Sequence, residues 1–254
     1  MHIGKESVVM VKTKISNLHK RIASSLLAIP LILFILYDTS GVGLLSLIAV
    51  LAILSIYELS SISNTSFVLG GVFHFAVLFS LFLIPLYFNF IFLVFVWGGL
   101  VYEIASHPRR RVCFWLYNII LAYTWYFVFQ IDSLGGIFLV QALLLIWSVD
   151  SLAFLGGRWI GHTPLLKSVS PNKTLEGALC GLAVGLIWPF MFFKGGLVAL
   201  ACVIGDLVES RLKRLVKCKD SGYFLPGHGG VLDRIDSVAA GLPLYFFFLS
   251  IGVN

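Results

Sequence analysis

Between Gly205 and Ser237 the chain reads GDLVESRLKRLVKCKDSGYFLPGHGGVLDRIDS, with five acids, six Lys/Arg, one His and five Gly in otherwise almost continuous apolar sequence. Charge in such a setting is costly unless it lines a polar cavity or faces water, so the stretch is a functional site by default. Asp206, Glu209, Ser210 and Lys213 fall at i, i+3, i+4 and i+7, one face of a helix. Asp233, Asp236 and Ser237 repeat the i, i+3, i+4 spacing at the start of the next apolar run. Between them lies a loop rich in Lys and Arg (Arg214, Lys217, Lys219) that ends in Pro226, Gly227, His228, Gly229 and Gly230. Carboxylates on two helix ends facing one basic loop point to a divalent metal held beside phosphate groups. Mg²⁺ suits this inventory, because it takes one or two carboxylates plus phosphate oxygens and waters. Gly229 and Gly230 permit close backbone approach to an anion. The cation excess suits a lipid phosphate entering from the cytoplasmic leaflet.

Other polar residues join this set. Asp150, in WSVDSLAFLGGRWIGH, sits about two turns inside an apolar run and needs a partner or a polar cavity at that depth. In SVSPNKTLEGALCGL, Ser170-Pro171 sets an extended approach to a helix that Thr174 caps, with Glu176 in its first turn. Lys173 beside that helix N-terminus forms a phosphate-binding pair with it, since dipole, free N–H groups and ammonium all favour an anion. Glu58 and Glu103 end their apolar runs at the membrane edge and are expected as solvated carboxylates. Cys113, Cys180, Cys202 and Cys218 show no C-x-x-C pair and no His at zinc spacing, so they read as ordinary thiols.

The elements that position these residues must be membrane helices. The chain is 59% hydrophobic and 12% charged, a composition outside that of ordinary soluble domains. Apolar runs at 22–37, 41–58, 67–84, 86–105, 112–130, 135–156, 174–192, 195–212 and 234–252 predict an all-α, polytopic integral membrane protein of about nine transmembrane helices. With the N-terminus cytoplasmic, seventeen of the eighteen Lys/Arg fall inside and only Lys194 outside. That places the polar catalytic cavity on the cytoplasmic side. The basic tail, with Lys5, Lys12, Lys14, Lys20 and Arg21, precedes a first span expected to be retained rather than cleaved as a signal peptide, whether the start is Met1 or Met10. Residues 1–21 thus form the tail, 22–130 the N-terminal helices and 131–254 the catalytic membrane region.

From Ser210 to Asp236 the chain reads S-x-x-K-R-x-x-K-x-K-D-x-G-x-x-x-P-G-H-G-G-x-x-D-R-x-D. This resembles the signature of the phosphatidate cytidylyltransferase (CDP-diacylglycerol synthase) family. The 150–185 region resembles that family's D-x-x-A-[YF]-x-x-G and S-P-x-K-T-x-E-G segments, and KRIASSLLAIP its N-terminal pattern. Phe154 stands where Tyr is common and Asn172 where Lys is common. The resemblance implies transfer of CMP from CTP to phosphatidic acid with Mg²⁺, one ion or two. Asp206, Asp233 and Asp236 would hold metal, with Lys213, Asp233 and Asp236 at the chemistry. Lys173, Thr174, Ser210, Arg214, Lys217, Lys219, His228, Gly229, Gly230 and Arg234 would take the phosphates, and Asp150 would complete the cavity. CTP, phosphatidic acid and membrane lipids are the implied partners, with no nucleic acid, a homodimer as a candidate assembly, and the inner cell membrane as location. A CTP-dependent lipid kinase, transferring the γ-phosphate, is the alternative enzyme. A transporter is the alternative of another class; charge clustered at one membrane edge and the lack of internal repeats speak against it.

Overall fold

A computed structural model describes residues 41–106, 108–167, 169–189, 191–218, 220–222, 224 and 229–252. The expected first span at 22–37, the basic tail, Lys219 and His228 lie outside these. Among the described residues the protein is helical throughout, apart from one two-stranded ribbon. In chain order come α1 (Val42–Ser63), α2 (Phe67–Leu83), α3 (Leu86–Ala105), α4 (Arg110–Leu134) and α5 (Gly136–Trp159). The ribbon β1 (Pro164–Leu166) and β2 (Ser170–Thr174) follows, then α6 (Leu175–Leu186), α7 (Phe192–Leu215) and α8 (Leu232–Gly252). By length and hydropathy Val42–Ser63, Leu86–Ala105, Arg110–Leu134, Gly136–Trp159 and Leu232–Ile251 can each cross a membrane.

Turn chemistry sets the helix ends. Asn64 adopts the left-handed conformation (φ 56°) and its N–H returns to the Ser60 and Ser61 carbonyls, closing α1. Ser66 caps α2 by accepting the Leu69 N–H at 3.4 Å. The turn at Pro85 is tied by Asn89, whose amide donates to the carbonyls of Leu81 (3.0 Å) and Ile84 (3.1 Å). Helix α4 is the central post: Tyr117, Ile120, Leu121, Tyr123, Phe127 and Ile131 are all fully buried. Phe127 joins Phe90 of α3, with ring centroids 5.0 Å apart, and Phe246 of α8 at 5.4 Å.

The helix expected over 174–192 is shorter than the apolar run. Helix α6 has 12 residues, about 18 Å, against a hydrocarbon core of about 30 Å. It stops because the chain turns at Trp188-Pro189: the Trp188 N–H bonds back to Gly185 O at 3.3 Å, and Pro189 has no N–H to continue a ladder. Helix α6 also packs very closely on α5, where a Cβ added at Gly177 would lie 2.5 Å from the Ala153 carbonyl oxygen. The same device joins α7 to α8. A Cβ at Gly205 would lie 2.7 Å from both Asp236 O and Ala240 Cβ. That contact brings Asp236 beside Asp206, the residue after Gly205 on α7.

Candidate active site

Helix α7 carries Asp206, Glu209, Ser210 and Lys213 on one face, and two lysines meet carboxylates there. Lys213 Nζ stands 2.5 Å from Glu209 Oε2, one turn back on its own helix, and 2.5 Å from Asp233 Oδ1 in the first turn of α8. These side chains are only 13%, 3% and 8% exposed, so each charge depends on its partner rather than on water. The other Asp233 oxygen accepts the N–H groups of Ser221 (3.0 Å) and Gly230 (2.8 Å). Asp233 thereby ties both ends of the signature loop to Lys213. Two turns earlier, Lys173 reaches across from the end of β2. Its ammonium pairs with Asp206 Oδ1 at 2.5 Å and donates to Asp206 O and Ser210 Oγ, both at 3.0 Å.

A chain of polar contacts extends behind Asp206. The carboxyl groups of Asp206 and Asp236 lie within hydrogen-bonding reach of each other. Asp236 Oδ1 accepts the Ser237 N–H at 2.8 Å, and Ser237 Oγ donates to Asp150 Oδ1 at 2.9 Å. Asp150 on α5 is thus joined through α8 to α7 and β2. No three His, Cys, Asp or Glu side chains form a metal-ligand set among the described residues. Asp206 and Asp236 come together, whereas Asp233 turns to Lys213 and the loop amides. Two carboxyl groups in mutual contact repel when both ionise, and a divalent cation relieves this as well as a shared proton does. The pair therefore fits Mg²⁺, which needs no more than two protein carboxylates.

The remaining candidates serve several ends. Thr174 Oγ1 accepts the Gly177 N–H at 3.2 Å, capping α6, while Glu176 accepts the N–H groups of His162 and Thr163 at 3.1 Å. Arg214 donates to Val169 O (3.2 Å) and Cys218 O (3.0 Å), bracing the ribbon against the end of α7. Lys217 closes α7 in the left-handed conformation (φ 59°) and is exposed, as is Arg234 at the start of α8. Gly229 has φ 83°, which favours glycine, and a Cβ there would lie 2.7 Å from Asp233 Oδ2.

Four residues gain a role at or near the site that the sequence reading did not give them. Glu209 is buried and paired with Lys213, a link visible in the i, i+4 spacing. It lines a small pocket with Leu59, Ile62, Tyr117, Lys213 and Leu232. Glu209 Oε1 and the Tyr117 hydroxyl, both buried, have no hydrogen-bond partner among the described residues. Glu58 and Glu103 are not the solvated carboxylates expected. Glu103 is 7% exposed and paired with Arg109 just past the end of α3. Glu58 is 2% exposed and accepts from Val231 N (2.9 Å), Leu232 N (2.9 Å) and Ser221 Oγ (3.0 Å). Nothing local in sequence announces that contact.

Similar proteins carry a consistent description. A Helicobacter pylori protein named phosphatidate cytidylyltransferase is 39% identical over 169 residues, covering 60% of this chain and 62% of the relative. One of the same name from Synechocystis is 40% identical over 129 residues, 45% of this chain and 44% of that protein. One from Bacillus subtilis is 36% identical over 136 residues, 48% and 51% respectively. The chain thus matches about half to three fifths of the length of these relatives. The Cytidylyltransferase family model matches residues 19–252, a range that holds every helix and side chain described above. The chain belongs to the cytidylyltransferase family.

Proposed function

We propose that the protein is a phosphatidate cytidylyltransferase, which transfers CMP from CTP to phosphatidic acid and releases pyrophosphate. The observation that carries this reading is the pairing of Lys173 and Lys213 with Asp206, Glu209 and Asp233 where α7, α8 and β2 meet. Names borne by the relatives support it. In the reaction a phosphate oxygen of the lipid forms a bond to the α-phosphorus of CTP. The bond from that phosphorus to the bridging oxygen breaks, and pyrophosphate leaves with the electron pair. Little covalent work falls to the protein, so positioning and charge neutralisation dominate. Mg²⁺ bound at Asp206 and Asp236 would supply Lewis-acid neutralisation of phosphate charge. Lys213, placed by Glu209 and Asp233, would neutralise charge that grows at the phosphorus under attack. Lys173, beside the capped start of α6, would hold a terminal phosphate. Arg214, Lys217 and Arg234 would form a basic rim through which anionic substrates arrive.

The proposal includes a cytoplasmic site in the inner cell membrane, with the N-terminus inside and about nine membrane-embedded helices, of which α6 is too short to span by itself. The Lys/Arg asymmetry and the apolar helices support this. Purified protein incubated with CTP, phosphatidic acid and Mg²⁺ tests the activity by product identification. CDP-diacylglycerol and pyrophosphate are expected. CDP with a phosphorylated lipid would identify the lipid kinase instead, and nucleotide-independent flux in proteoliposomes the transporter.

A further inference from the structure

Helix α1 lies far from the signature in sequence, yet its last turns form one wall of the site. Glu58 Oε1 accepts the Val231 N–H, and Oε2 accepts both the Leu232 N–H and the Ser221 hydroxyl. The N–H groups of Val231 and Leu232 belong to the start of α8, where no intrahelical acceptor exists. The carboxylate also complements the positive end of the α8 dipole. Asp233 grips the same segment from the opposite side, through the N–H groups of Ser221 and Gly230. Ser221 is therefore held twice, its hydroxyl on Glu58 and its amide on Asp233. Space is cleared for this clamp: a Cβ at Gly222 would sit on Glu58 Oε1, and one at Gly230 would lie 2.5 Å from Glu58 Oε2. Next to Glu58, Tyr57 packs edge-on against Phe224 of the loop, with centroids 5.8 Å apart.

We propose that Glu58 is a positioning residue for cytidylyl transfer: it clamps the signature loop to the start of α8 so that Asp233 presents Lys213 to the phosphates. The inference rests on the functional reading above. A carboxylate is required because acceptors are needed at both oxygens. Gln offers one oxygen and one NH₂, so Val231 or Leu232 would face another donor.

The test uses the full chain in detergent, with the variants Glu58→Gln, Glu58→Asp and Ser221→Ala. For Glu58→Gln, kcat should fall at least about tenfold while KM for CTP and for phosphatidic acid stay within about threefold, the pattern of a lost transition-state contribution. Glu58→Asp keeps the charge and should recover part of that loss. Hydrogen exchange in peptides covering 229–236 should quicken about tenfold or more in Glu58→Gln, with exchange in α4 unchanged. A Glu58→Gln enzyme with kcat within about twofold of wild type, or with unchanged exchange at 229–236, overturns the proposal. If Glu58→Gln does not fold, Ser221→Ala decides: a fall in kcat of about threefold or more supports the clamp, and wild-type kcat refutes it. A wild-type chain that makes no CDP-lipid refutes the functional reading instead, while the exchange measurement still judges the clamp.

Discussion

Lys213 is the side chain whose removal separates stability from catalysis. Lys213→Met keeps most of the apolar stem and deletes the ammonium, leaving Glu209 and Asp233 without the cation that stands 2.5 Å from each. Breaking a buried ion pair by removing one partner costs about 3–5 kcal/mol, because an uncompensated charge is left behind. For a chain of this size that corresponds to a fall of about 6–20 °C in Tm. Loss of a charge aimed at developing negative charge should cost about 10²–10³ in kcat. A second substitution tells these effects apart. Adding Glu209→Gln removes the uncompensated carboxylate, so the double variant should regain half or more of the lost Tm. It should not regain kcat, because nothing has replaced the ammonium. Thermal unfolding in detergent and CTP titration at saturating phosphatidic acid give both quantities. If the double variant returns to within about threefold of wild-type kcat, Lys213 serves only to neutralise Glu209 and the catalytic assignment fails. Should Lys213→Met alone not fold, the double variant still decides.

Lys173→Ala should raise KM for CTP about tenfold with kcat within about threefold, since binding is lost equally from ground and transition states; a fall in kcat at constant KM would exchange the roles of Lys173 and Lys213. Asp236→Asn should lower activity by orders of magnitude and raise the Mg²⁺ concentration needed for half-maximal rate, and an unchanged Mg²⁺ titration would remove metal from the Asp206–Asp236 pair. With the four native cysteines replaced, single cysteines at positions 110, 167 and 217 should label from the cytoplasmic side and one at 251 from the outside; cytoplasmic labelling at 251 would put the span count wrong by one.

Apolar runs carried most of the helix boundaries. The run at 86–105 is α3 to the residue, and 67–84 is α2 within one. Backbone geometry took over where runs misled: α6 ends at Leu186 because Trp188-Pro189 turns, although the hydropathy continues. The site was legible where helical spacing carries it, as with Asp206, Ser210 and Lys213 on α7. The distribution of partners was less so. Asp233 and Asp236 share a spacing but point to different neighbours, Asp233 to Lys213 and Asp236 to Asp206. Glu103 and Glu58 show why an acid at a span end cannot be read alone. Arg109 is six residues from Glu103, but the donors to Glu58 come from up to 174 residues away. Only tertiary packing reveals them.

The charge arrangement bears on how a polyphosphate could be accepted at all. Asp150, Asp206, Glu209, Asp233 and Asp236 are joined in one region with two ammonium groups, Lys173 and Lys213, both already engaged by carboxylates. A triphosphate approaching these carboxyl groups would meet net repulsion, and each lysine it recruits would leave an acid uncompensated. A proton shared by Asp206 and Asp236 would relieve the repulsion between those two carboxyls but would offer a phosphate no new site. A divalent cation has no such drawback: it neutralises the Asp206–Asp236 contact and brings its own coordination sites for phosphate oxygens. The proposed Mg²⁺ is therefore in keeping with charge balance as well as with ligand type. Lys213 could then turn from Glu209 toward phosphate while Asp233 stays fixed by the loop amides, with Glu58 holding that loop in place.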